Sequence, residues 1–171
     1  YILFSSKLIG KTGAARFNSQ AMLAACALWM QGEPPLLLDL KAERDYDHVV
    51  ALFRRDGCWG AISKTNPPLL RWRDPVYRTL RELGMSYVHE YANRRHQKTL
   101  RSYGGPFDLR RVPVATWVTG TRNCWDIGGG LNDLPHVALV TRKQARHLRL
   151  RDAVEREAGA LRQYPPPRGR R

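Results

Sequence analysis

With 171 residues, 43% of them hydrophobic, the chain is long enough for one domain with a proper core and rather short for two. Its longest apolar runs, Leu36 to Leu38 and Val49 to Phe53, are far too short to cross a bilayer, and no charged segment leading into an apolar core opens it as a secretory signal would. Lys and Arg number 29 against 15 acidic residues, a formal charge of +14; such self-repulsion disfavours a lone compact domain and fits a polyanionic partner, nucleic acid first and an anionic membrane surface second.

In chain order, "YILFS" is apolar and β-prone and reads as an opening strand. After a glycine-punctuated loop, Asn18 or Ser19 caps a helix. Met22, Ala25, Cys26 and Trp29 lie on one face of it, and Gly32 with "EPP" ends it. "LLLDL" is a short strand of the buried type. "HVVALFR" and "WGAIS", separated by "RDG", form a hairpin.

The stretch "RDPVYRTLRELGMSYVHEYANRR" predicts the longest helix, with Asp74 as N-cap and Pro75 at the first helical position. Val76, Leu80, Leu83, Tyr87 and Tyr91 then run down one side. After "YGGPFDL" the chain turns irregular, with "VATWVT" and "HVALVT" as strands. A charged helix over residues 142–162 and the tail "YPPPRGRR" close it.

Cys26, Cys58 and Cys124 are too few and too scattered for a disulfide framework and form no CxxC pair, which suits a reducing intracellular compartment. His89 and His96 have neither a cysteine nearby nor a histidine four residues away, so neither a metal nor a cofactor is expected.

"GKTGAARFNSQAMLAACALW" places a Gly-Lys-Thr ahead of a helix, as phosphate-binding loops do, and "LLLDL" imitates a magnesium-binding strand end at Asp39. The spacing fails, because the earlier glycine of that motif would fall on Ser5. A thiol-hydrolase scaffold fits the order better: a helix start near residue 18, then His48 opening a strand, then a return strand carrying Ser63 and Asn66.

The segment "HVVALFRRDGCWGAIS" resembles the histidine strand and the following tryptophan strand of transglutaminase-like (papain-like) proteins, and the resemblance runs over roughly residues 17–105. It implies an α+β fold, an antiparallel sheet packed against helices. The transglutaminase-like domain would span residues 1–140, and a basic helix with a Pro/Arg-rich tail would span 141–171. Where the family carries its nucleophilic cysteine this sequence has Ser19, and where the orienting aspartate belongs it has Ser63; His48 alone is retained. The bland readings stand beside these: Ser19 as a helix cap, and His48 hydrogen-bonded to Asp45 or Asp47.

The basic residues cluster. Arg71 and Arg73 flank Trp72, Arg94, Arg95 and Lys98 follow, and Arg142, Lys143, Arg146 and Arg149 lie on the last helix, with Arg168, Arg170 and Arg171 in the tail. No sequence-reading module surrounds them, so binding would be to backbone and shape. Two functions follow from this reading. The first is a non-catalytic basic scaffold subunit of a large assembly, a ribonucleoprotein such as a mitochondrial ribosome, with RNA and protein subunits as partners. The second is a thiol hydrolase or acyltransferase in which Ser19 replaces the cysteine, His48 is the base, and Ser63 or Asn66 orients it.

Overall fold

The computed structural model describes residues 13–63, 65, 67–118 and 125–162, with side chains from residue 20 onward in the first helix and from residue 127 in the fourth. The expected opening strand, Asn66, Cys124, the side chain of Ser19 and the tail arginines Arg168, Arg170 and Arg171 lie outside the described residues.

The fold is α+β. Six antiparallel strands form one sheet in the order β4-β3-β2-β1-β5-β6. They are β1 (Leu36–Ala42), β2 (His48–Arg55), β3 (Cys58–Ile62), β4 (Trp72–Tyr77), β5 (Leu100–Asp108) and β6 (His136–Ala138). The helices are α1 (Gly13–Met30), α2 (Leu80–Met85), α3 (Val114–Trp117), α4 (Trp125–Asn132), α5 (Arg142–Ala145) and α6 (Ala153–Ala160). No helix among the described residues is long and apolar enough to cross a membrane.

Helices cover both faces of the sheet. On one face α1 lays Ala21, Met22, Ala25, Cys26 and Leu28 against Leu37, Val49, Ala51 and Phe53, and Trp117, Ile127 and Leu131 complete that layer. On the other, Leu38, Leu40, Val50, Leu52 and Ala61 meet Leu83, Tyr87, Val88 and Tyr91. Two covered faces explain why "LLLDL" is apolar without alternation, as in any strand buried on both sides. Full burial of Leu37, Leu38 and Leu40 contributes about 1.5–3 kcal/mol each.

The β2–β3 hairpin forms as the sequence reading expects. Asp56 (φ 50°) and Gly57 (φ 79°) both take left-handed backbone, the two-residue turn whose twist matches the strands. The charged C-terminal segment is not one helix. It divides into α5 and α6, each opened by its own capping box, at Thr141 with Gln144 and at Asp152 with Glu155.

Several expectations are overturned. α1 begins at Gly13, so Asn18 and Ser19 lie within the helix and neither caps it. Residues 72–77 form the edge strand β4 rather than the start of a long helix, pairing Ala61 with Arg73 and Ile62 with Trp72. Trp72, Val76 and Tyr77 favour a pleated strand, and Pro75 is tolerated because an edge strand leaves one row of N–H groups unused. The helix cap is Thr79, which accepts from the Glu82 amide, and α2 ends at Met85. "VATWVT" begins with the short helix α3, and Leu100–Asp108, to which the sequence reading assigns no element, forms β5, the longest described strand.

Candidate functional site

His48 begins β2. Val49, Ala51 and Phe53 point into the α1 layer, whereas Val50 and Leu52 point into the other. The His48 ring follows the second set: it is 3% exposed and its centroid lies 6.3 Å from that of Tyr91. It therefore faces away from the helix that carries Ser19. Asp45 and Asp47 do not hold it. The Asp45 carboxylate accepts from Thr99 Oγ1 at 2.8 Å and from the Tyr46 amide, and Asp47 accepts from Lys41 and the Ala42 amide.

Burial without a carboxylate partner depresses the His48 pKa to about 4, and the Leu70 backbone carbonyl opposes the shift only in part. Nε2 has no hydrogen-bond partner among the described residues. Ser63 is buried on the neighbouring β3 end, its amide donating to the Arg71 carbonyl at 2.7 Å. His48 is thus a neutral imidazole beneath a pocket of about 190 Å³, whose walls include Tyr91, Thr65, Leu70 and, from the C-terminal segment, Arg151 and Arg162.

Beside this pocket, sharing Asp45, Tyr46 and Ala92 as a wall, lies a wider hollow of about 780 Å³. Its rim carries Arg44, Arg94 and Arg95, all exposed, and none forms an ion pair with a described carboxylate. Two tight turns present them. In one, the Asn93 side-chain oxygen accepts from the amides of Arg95 and Gln97, and the His96 amide closes back onto the Asn93 carbonyl at 2.9 Å. In the other, Arg44 takes left-handed backbone (φ 59°) and Asp45 ties the turn to Thr99. Tyr46, on the same turn as Arg44, lines the hollow and is 72% exposed.

A second polar group lies on the α1 face. Asp39 of β1, 2% exposed, meets His136 Nε2 of β6 at 3.1 Å, and the Lys41 ammonium is 3.6 Å away. His136 Nδ1 lies 2.7 Å from the Leu134 carbonyl, an acceptor, so that nitrogen carries a proton. With both ring nitrogens engaged, His136 offers no free lone pair to a nucleophile, and the pair serves to pin the edge strand. Burial raises the Asp39 carboxyl, against the opposing pull of His136 and Lys41.

Of the basic residues expected at a partner surface, three are used within the fold. Arg73 lies over the Tyr87 ring, donates to Ser86 and pairs with Glu90. Lys98 is 6% exposed with Glu155 3.7 Å away, and Arg149 is bidentate to Glu155. Arg71, Arg94, Arg95, Arg142, Lys143 and Arg146 make no ion pair with a described carboxylate. Sequence reasoning passed over Arg44 and Tyr46, whose only signal was "ERDYD", a charged turn ahead of a strand. Among the described residues no group of three metal-ligating side chains converges.

Comparison with protein-family models and with curated proteins finds no match for this chain.

Proposed function

We propose that the chain is a non-catalytic, basic binding subunit that docks on the phosphate backbone of RNA within a ribonucleoprotein assembly, of which an organellar ribosome is the type. The observation that carries this reading is the division of labour among its charges. Of the described acids, Asp39, Asp47, Glu33, Glu90, Glu43, Asp108, Asp152 and Glu155 are engaged in intramolecular ion pairs, and Asp45, Asp56, Asp74, Glu82, Asp133 and Glu157 are in none with a described cation. Meanwhile Arg44, Arg94, Arg95, Arg142, Lys143 and Arg146 stand exposed with no described carboxylate beside them. Surplus positive charge displayed in this way attracts a polyanion and gains by counterion release.

In the same reading, α1 and strands β1 to β3 are a degenerate transglutaminase-like core kept as a scaffold. His48 supports the loss of catalysis. Its ring is neutral and without an acidic partner, and it lies across the sheet from the helix that would bear the nucleophile. A hydrolase built on Ser19 needs that base within hydrogen-bond reach.

The test is the binding of a fluorescently labelled RNA by the purified chain across a salt series. We expect log affinity to fall linearly with log salt, with a slope reporting several released counterions, at about 0.7 per phosphate for a single strand and about 0.9 for a duplex. Binding that is absent at low salt, or indifferent to salt, rejects the reading.

A further inference from the structure

We infer that the hollow between the 43–47 turn and the 92–98 turn is an anchoring site for a single-stranded RNA segment, with phosphate held by Arg44, Arg94 and Arg95 and a base laid on Tyr46. This inference rests on the reading of the chain as an RNA-binding subunit and assigns that activity a place and a substrate form.

Three observations converge on the hollow. The first is chemical: guanidinium groups match the geometry of phosphate oxygens with paired donors, and these three are committed to no described acid. Asp45, the one carboxylate among the described residues of the hollow's wall, is turned to Thr99 and the Tyr46 amide, so it is occupied in building the turn.

The second is rigidity. Arg94 and Arg95 sit at the tip of a loop closed by the Asn93 side chain at one end and by pairing of Ala92 with Lys98 at the other. His96 holds left-handed backbone there (φ 63°), and its carbonyl accepts from the Arg151 amide at 3.1 Å. The Tyr46 backbone is tied down from below, where its carbonyl accepts from the Tyr91 hydroxyl. A site held this way loses little conformational freedom when it binds.

The third is shape. A hollow of about 780 Å³ with an exposed aromatic ring among cations suits an unstacked nucleotide, since every base has a face to stack and single strands splay their bases outward. A duplex hides its base faces and would have no use for Tyr46.

The experiment measures affinity by fluorescence anisotropy, for a single-stranded RNA of mixed sequence and for an RNA duplex of equal length. Four forms of the full chain are compared: the unaltered protein, Arg94→Glu with Arg95→Glu, Tyr46→Ala, and Arg54→Glu with Arg111→Glu as a charge-matched control. The control pair lies at the opposite end of the sheet, where Leu36 pairs with both Leu52 and Asp108. Thermal melts check that each variant folds, and Arg94→Gln with Arg95→Gln replaces the charge reversal if it does not.

We expect the Arg94/Arg95 variant to bind the single strand at least about tenfold more weakly than the control variant, with a flatter salt dependence. We expect Tyr46→Ala to lose about fivefold or more on the single strand and little on the duplex, and Tyr46→Phe to restore binding. If no RNA binds in any form, the functional reading itself fails. If RNA binds but the hollow variants match the control, or the duplex is preferred and Tyr46→Ala is without effect, the reading survives and this site is wrong.

Discussion

His136 Nε2 stands 3.1 Å from the Asp39 carboxylate, reaching over β5 at the one residue that permits it, Gly104. Gly104 pairs with Asp39 on one side and His136 on the other, and a Cβ placed there would meet Nε2 at 2.7 Å and Cε1 at 2.9 Å. The ring cannot yield without surrendering the carboxylate, which would then be buried beside Lys41 alone. Gly104→Ala should therefore destabilise the fold by about 1–3 kcal/mol. In a His136→Ala background the same change should cost much less, because nothing remains to be displaced. Urea denaturation of the four proteins of this cycle reads the coupling directly, and additive effects would mean that the ring and Gly104 are independent.

Arg73 tests the division between arginines that build the fold and arginines that face outward. Its guanidinium carbon lies 4.0 Å from the Tyr87 ring centroid, its Nε donates to Ser86 Oγ at 2.9 Å, and it pairs with Glu90. Arg73→Ala should lose about 2 kcal/mol of stability through stacking and hydrogen bonds made inside the protein. At a temperature where the variant is still folded, its RNA affinity and salt slope should be those of the parent. Arg94→Ala should show the reverse: an unchanged urea midpoint and a shallower salt slope. A weakened salt slope in Arg73→Ala would return that residue to the partner surface.

How far the sequence discloses all this depends on the range of the forces involved. Strands β1 to β3 are legible because local signals agree: an apolar run, a second one, and Asp56-Gly57 between strands that need a left-handed turn. β4 is not legible, because the spacing of Val76, Leu80, Leu83 and Tyr87 imitates a helix while pairing with Trp59 and Ile62, some fifteen residues upstream, decides for a strand. β5 is hidden by its own irregularity. Gly105 (φ 131°) places an extra residue opposite β1, and "GGP" looks like a loop to any reading without the partner strand.

The sites divide the same way. His48 is conspicuous in the sequence, but the face it occupies is set by the register of β2 between two helical layers. Arg44 and Arg94 lie fifty residues apart and meet only because the turns before β2 and before β5 share one end of the sheet. Asp39, attractive as a strand-end carboxylate, is occupied by a histidine 97 residues away.

Tyr87 gives a prediction of opposite sign. Its side chain is fully buried, its hydroxyl has no hydrogen-bond partner among the described residues, and burial raises its pKa strongly. An unpaired buried hydroxyl costs about 1–3 kcal/mol of desolvation, whereas the ring supplies the packing and the contact with Arg73. Tyr87→Phe keeps the ring and removes the cost, so it should leave stability unchanged or raise it by about 1 kcal/mol. A loss of more than about 1 kcal/mol on the same scale would reveal a partner for that hydroxyl.

His48 makes stability depend on pH, and the sign follows from which state holds the proton. Unfolded, the imidazole titrates near its usual 6.5; folded, burial holds it at about 4. Between those values the unfolded chain binds more protons, so stability is fully present above about pH 6.5 and declines as pH falls toward 4. A shift of this size is worth about 3 kcal/mol at most. His48→Leu removes the titration while keeping an apolar group at a site with no hydrogen-bond partner for Nε2. Urea midpoints at pH 7.5 and pH 5 should therefore diverge for the parent more than for the variant, and taking the difference cancels every other titrating group. Parallel losses would mean that the imidazole titrates in the fold as it does unfolded, and a parent that loses less stability than the variant would mean that it is held charged in the fold. That outcome would require an acid near His48, and with it the hydrolase reading would have to be reopened.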